Sequence, residues 1–200
     1  MHHLAISITD LGDSAVTLPT AAVTIMVLLV ARRVRPALWW GGAVVAGAAA
    51  IAVLKLVLTA AEPHHHTLTG LTSPSGHAGM SAIVYGGFVL VIGPSLARVW
   101  RVVARLGAAV LIVAIALSRL VLHDHSLAET VVGLGVGLAA LGALRAGLAR
   151  SPAERVPVAA LCAAALAVIG LMHGTRWHTE PMIRALARSA VVHELPRWHG

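Results

Sequence analysis

Long apolar runs alternate along the chain with short polar stretches that carry arginine, histidine, glycine or proline. A helix needs about 20 mostly apolar residues to cross the hydrocarbon of a bilayer. Six runs predict spanning helices: Val16 to Ala31, Pro36 to Ala60, His77 to Ile92, Val102 to Leu122, His125 to Leu148 and Pro157 to Met172. Pro19 falls near the start of the first run, where a helix tolerates proline. Pro36 opens the second, with Trp39 and Trp40 as interface anchors. The expected fold is all-α, a polytopic membrane protein with a six-transmembrane-helix bundle. It forms a single domain over residues 1–200, of which 173–200 are an extramembrane tail.

Composition agrees with this pattern. Hydrophobic residues make up 58% of the chain and charged residues 12%, against about a quarter charged in a soluble domain. The net charge of +7 would suggest nucleic acid in a soluble protein. Here no basic stripe exists, so nucleic acid is not an expected partner. The arginines sit in loops instead. Arg32, Arg33 and Arg35 follow the first run, Arg98, Arg101 and Arg105 the third, and Arg145, Arg150 and Arg155 the fifth. By parity all three groups share one side, which the positive-inside bias makes cytoplasmic. Before the tail, the opposite side carries two basic residues, Lys55 and Arg119.

The remaining features change the picture little. The N-terminus has no basic stretch leading into an apolar one, so the first spanning helix is expected to direct insertion itself. Cys162 is the single cysteine, which excludes an intramolecular disulfide and suggests a small packing residue. Gly133 and Gly137 form a small-xxx-small pair suited to close helix packing. In the tail, Thr179 and Pro181 suit the start of an interfacial helix anchored by Trp177 and Trp198.

The chemistry gathers at the outer ends of the second to fifth runs. Lys55 lies near the end of the second, Ser75, Gly76 and His77 open the third, Arg119 closes the fourth, and His125 and Glu129 open the fifth. Ionisable residues at membrane depth are costly and usually functional. Ser75-Gly76-His77 reads as a helix N-terminus, whose backbone N–H groups and dipole attract phosphate oxygens. Gly76 permits close backbone approach. Lys55 and Arg119 add positive charge, and arginine grips two oxygens at once. His125 and Glu129 are four residues apart and are expected to face the same way on a helix. The carboxylate would then keep one imidazole nitrogen protonated and leave the other to attack. His77 is placed to act as general acid. Ser118 is either a supporting partner or a packing residue.

These residues fall into three boxes: Lys55-x6-Glu62-Pro63, Ser73-Pro74-Ser75-Gly76-His77, and Ser118-Arg119-x5-His125-x3-Glu129. The pattern resembles the signature of the type 2 phosphatidic acid phosphatase (PAP2) superfamily. The resemblance implies a site at the outer membrane face, with His125 as nucleophile forming a phosphohistidine and His77 as general acid. Lys55, Ser75, Gly76 and Arg119 would bind the phosphoryl group, with neither metal nor organic cofactor. It further implies a lipid phosphate or pyrophosphate substrate, such as undecaprenyl pyrophosphate, phosphatidylglycerophosphate, phosphatidate or a lipid A phosphate. The expected location is a bacterial inner membrane with the site facing the periplasm. Three features depart from the family pattern. Glu62 stands where the first box usually has arginine, and Glu129 where the third usually has aspartate. The signature begins after the second run rather than the third.

Two other readings compete. A phosphotransferase would use a second lipid in place of water. A non-enzymatic haem- or metal-binding membrane protein would use the 12 histidines. Haem ligation needs histidine pairs on facing helices, whereas these histidines cluster at helix ends and in loops. His64-His65-His66 and His123-Asp124-His125 are the candidate metal tracts. The first is better read as a polar loop near headgroups.

Overall fold

The structure is a computed structural model that describes residues 2–61, 73–150 and 152–175. Glu62, Pro63, His64, His65, His66 and the tail beyond Thr175 lie outside the described residues, so the interfacial helix expected there does too.

The described residues are helical throughout apart from turns: α1 (His2–Asp10), α2 (Ser14–Val30), α3 (Val34–Ala61), α4 (Gly76–Ser81), a π-turn (Ala82–Gly86), α5 (Gly87–Ile92), α6 (Arg98–Val121), α7 (Leu127–Ala149) and α8 (Val158–Met172). The expected all-α membrane architecture is present. Among the described residues, five stretches are long and apolar enough to cross a bilayer: His2–Val30, Val34–Thr59, Gly76–Ser95, Arg98–Val121 and Leu127–Ala149. The sixth helix, α8, has 15 residues. At 1.5 Å per residue it reaches about 22 Å, short of the roughly 30 Å hydrocarbon core.

Two differences from the sequence reading affect the site. First, α1 is an additional short helix, and it packs on α6 while α2 packs on α3 and α8. The stretch His2–Val30 takes in both α1 and α2, so the box that begins at Lys55, on α3, stays on the second membrane-crossing stretch as the sequence placed it. Second, α7 begins at Leu127 with Ser126 as its N-cap, so His125 precedes the helix instead of opening it. A capping box sets that start: Ser126 Oγ accepts the Glu129 N–H at 3.2 Å, and the Glu129 carboxylate accepts the Ser126 N–H at 3.0 Å.

The core forms where α2, α3, the π-turn and α7 meet. Trp40, Leu28, Ile83 and Leu144 are fully buried there. The Trp40 indole N–H donates to the Ile83 carbonyl at 3.3 Å inside the π-turn. Its ring meets Phe88 edge-on at 6.2 Å. Gly133 and Gly137 do what their spacing suggested. A Cβ on Gly133 would strike the Ser75 carbonyl, and one on Gly137 would strike the backbone of Gly79. Backbone thus lies on backbone where α7 crosses α4.

Direction along each helix separates the charges. α2 starts at the site end and finishes beside Arg32 and Arg33, α6 runs from Arg98 to Arg119, and α7 from Glu129 to Arg145. Arg98 and Arg119 are about 32 Å apart along the axis, close to a bilayer thickness. The arginine loops and the candidate site therefore occupy opposite ends of the bundle.

Candidate active site

The loop between α6 and α7 is built to deliver His125. Helix α6 ends in a Schellman motif, with the His123 N–H on the Leu120 carbonyl at 3.1 Å and the Asp124 N–H on the Arg119 carbonyl at 3.1 Å. Such an ending needs a left-handed residue. His123 takes that role at φ 57°, although glycine is the usual occupant. The turn folds Asp124 back onto its own helix, where Oδ2 lies 2.9 Å from Arg119 Nη1. The next residue, His125, is then carried over the end of α6 toward Glu129.

His125 Nδ1 is 3.0 Å from Glu129 Oε2, and both side chains are buried. The expected pairing is therefore present, but the capping box creates it, not a shared helix face. Glu129 has two further restraints. Its Oε1 accepts the Ser73 N–H at 2.8 Å, and its backbone carbonyl accepts the Ser75 N–H at 3.0 Å. The second and third boxes are thereby bonded to each other directly.

Ser75 is the N-cap of α4, as the sequence suggested, with Oγ 3.5 Å from the Ala78 N–H. It is fully buried, and the first turn of α4 opens at Gly76 and His77. Lys55 is buried on α3, with Cε and Nζ 3.9 Å from the position a Cβ on Gly76 would occupy. Its ammonium end thus lies beside the start of α4. Arg119 is buried at the end of α6. Ser118 resolves toward packing, since its hydroxyl donates to the Ile115 carbonyl of its own helix at 2.7 Å.

Sequence reasoning missed the α1–α2 turn. Thr9 Oγ1 accepts from Arg119 Nη1 at 3.0 Å, and Asp13 Oδ2 lies 3.4 Å from His77 Nε2. Both residues are buried. The available signal was Asp13 directly before an apolar run, where a helix N-cap is expected. Asp13 does cap α2, with Oδ1 accepting the Ala15 N–H at 2.8 Å.

Among the described residues, no three His, Cys, Asp or Glu side chains gather as a metal-ligand set. In the His123-Asp124-His125 tract, Asp124 pairs with Arg119 and His125 with Glu129. His173 is exposed at the end of α8.

All seven residues singled out from the sequence, Lys55, Ser75, Gly76, His77, Arg119, His125 and Glu129, meet at one end of the bundle. Comparison with known proteins bears on the same stretch. The PAP2 superfamily model matches residues 53–153, which include all seven and just over half of the chain. No curated protein and no solved structure gives a significant match. The chain is therefore a helical integral membrane protein that belongs to the PAP2 superfamily, whose activity is in general that of a phosphatase.

Proposed function

We propose that the protein removes phosphate from a membrane lipid phosphate or pyrophosphate through a phosphohistidine on His125. The observation that carries this reading is the His125–Glu129 pair. With Nδ1 held by a carboxylate that is itself fixed by the Ser73 and Ser126 N–H groups, Nε2 is the nitrogen left for attack. Lys55, Arg119 and the backbone at Ser75, Gly76 and His77 surround the phosphoryl oxygens and offset their charge.

In the first step, His125 Nε2 bonds to phosphorus while the bond from phosphorus to the leaving oxygen breaks, the lipid oxygen of a monophosphate or the bridging oxygen of a pyrophosphate. His77 gives the departing oxygen its proton. In the second, water attacks phosphorus, His77 takes up the water proton, and the N–P bond breaks to release phosphate. Glu129 holds the Nδ1 proton through both steps.

A lipid substrate fits the surroundings. A largely apolar cleft of about 570 Å³, which also includes Arg105 and Arg145 in its lining, opens between α5, α6 and α7. It starts at Ile112, Val113 and Leu134. Leu134 is five residues beyond Glu129, about 8 Å along α7. An acyl or prenyl tail descending from the site would meet that cleft. The arginine loops at the other end support a site on the outer face of the membrane. The whole chain is read as one catalytic membrane domain.

The test is phosphate release from the detergent-solubilised protein, over a panel of phosphatidate, phosphatidylglycerophosphate and prenyl pyrophosphate. At least one should be hydrolysed, and His125→Ala should abolish the activity. Undiminished turnover in that variant would sink the mechanism.

A further inference from the structure

The α1–α2 turn lies outside residues 53–153, yet it touches two of the residues assigned above to catalysis and phosphate binding. Its position is tightly determined. The Tyr85 hydroxyl donates to the Leu11 carbonyl at 2.6 Å. Gly12 is wedged so closely that a Cβ there would lie 2.6 Å from Ile115 Cγ2 and 3.2 Å from His77 Cβ. Asp13 follows directly. Its two carboxylate oxygens have separate partners: Oδ1 accepts the Ala15 N–H and caps α2, while Oδ2 faces His77 Nε2 at 3.4 Å. The Asp13 side chain is 8% exposed, so water screens this contact poorly.

We propose that Asp13 is a positioning residue for His77, holding its Nε2 so that Nδ1 is presented to the leaving oxygen. This rests on the phosphohistidine reading above. Each histidine of the site then has its own carboxylate: Glu129 on His125 Nδ1 and Asp13 on His77 Nε2. As the bond from phosphorus to the lipid oxygen breaks, the Nδ1 proton passes to that oxygen and the Nε2 proton stays against Asp13. As water then attacks the phosphohistidine, its proton returns to Nδ1 and Asp13 faces the resulting imidazolium. Nothing is oxidised or reduced, and no co-reactant beyond water is needed. The contact is long for a hydrogen bond, as catalytic contacts often are before substrate binds.

The experiment compares two substrates on the full-length solubilised protein. The group that leaves phosphatidate is the alkoxide of diacylglycerol, which needs a proton. The group that leaves p-nitrophenyl phosphate is the stable p-nitrophenolate, which does not. Asp13→Asn keeps the Oδ1 cap on Ala15 but removes the charge, and Asp13→Ser also keeps a cap. Both should lower kcat on phosphatidate by about 10- to 100-fold, within the range general acid catalysis contributes. The loss on p-nitrophenyl phosphate should be smaller by at least about tenfold. Asp13→Glu, which keeps a carboxylate, should recover part of the phosphatidate rate. Equal losses on both substrates would mark Asp13 as a structural cap, and no loss on either would dismiss it. Both results overturn the proposal while leaving the phosphohistidine reading intact. That reading is checked separately by His125→Ala, which should lose turnover of both substrates.

Discussion

Glu129 Oε1 accepts the backbone N–H of Ser73 at 2.8 Å, although the two residues are 56 positions apart. Its other oxygen holds His125. One carboxylate therefore orients the candidate nucleophile and pins the segment that leads into α4. Glu129→Gln should lower turnover by about 10²–10⁴-fold, since the amide cannot hold Nδ1–H in the same way. It should also destabilise the fold by about 1.5–3 kcal/mol through weakened charge-assisted bonds. Glu129→Asp keeps the charge but shortens the reach by one methylene. It should retain more activity than the amide and lose the Ser73 contact. Phosphate release and thermal unfolding in detergent measure both effects, and wild-type behaviour of Glu129→Gln would refute the assignment.

The crossing of α7 over α4 gives a prediction with its own control. Gly133→Ala puts a methyl group into the Ser75 carbonyl, whereas Gly135 has nothing within 4 Å of an added Cβ. Gly133→Ala should cost about 1–3 kcal/mol through overpacking and reduce activity by displacing Ser75. Gly135→Ala should leave both unchanged. Equal melting temperatures for the two variants would contradict the close backbone contact.

Arg119 contacts Thr9 and Asp124 through one terminal nitrogen. Lysine has the charge but not the planar fork that grips two oxygens. Arg119→Lys should therefore reduce kcat/KM by at least about tenfold, an effect of roughly 1.4 kcal/mol. Steady-state kinetics with unchanged folding would check it, and unaltered kcat/KM would exclude a phosphate contact.

His123 contributes its backbone to the Schellman ending of α6 at φ 57°. Glycine is the residue best suited to that conformation. His123→Gly should keep turnover and fold at least as stably as the parent. Loss of turnover with intact folding would instead give the imidazole a role in the site.

Orientation is open to direct labelling. In a Cys162→Ala background, cysteine is placed singly at Arg98 or at His123. A membrane-impermeant maleimide applied to intact cells should label the His123→Cys protein and spare Arg98→Cys. The reverse pattern would turn the site toward the cytoplasm.

The sequence alone determined most of the helices, the loop charges and the gathering of the seven singled-out residues at one end of the bundle. Apolar runs, caps and boxes are local properties, and a run of apolar residues has few ways to satisfy its backbone in a bilayer other than a helix. Lys55, Ser75, Arg119 and Glu129 fall at the same end because alternating spans of similar length return the chain there. The Ser75 cap and the Gly133–Gly137 crossing were legible for the same reason. Tertiary structure decided the rest. His125 leaves the helix because Ser126 and Glu129 form a capping box, and the same carboxylate is also claimed by Ser73 from another part of the chain. The α1–α2 turn reaches Arg119 across 110 positions and His77 across the bundle. Pairings of that kind depend on which helices become neighbours, and spacing within one segment carries no record of it. The seven residues could thus be read from the chain, but Asp13 and Thr9 could not, because only packing of the first turn against α4 and α6 gives them their partners.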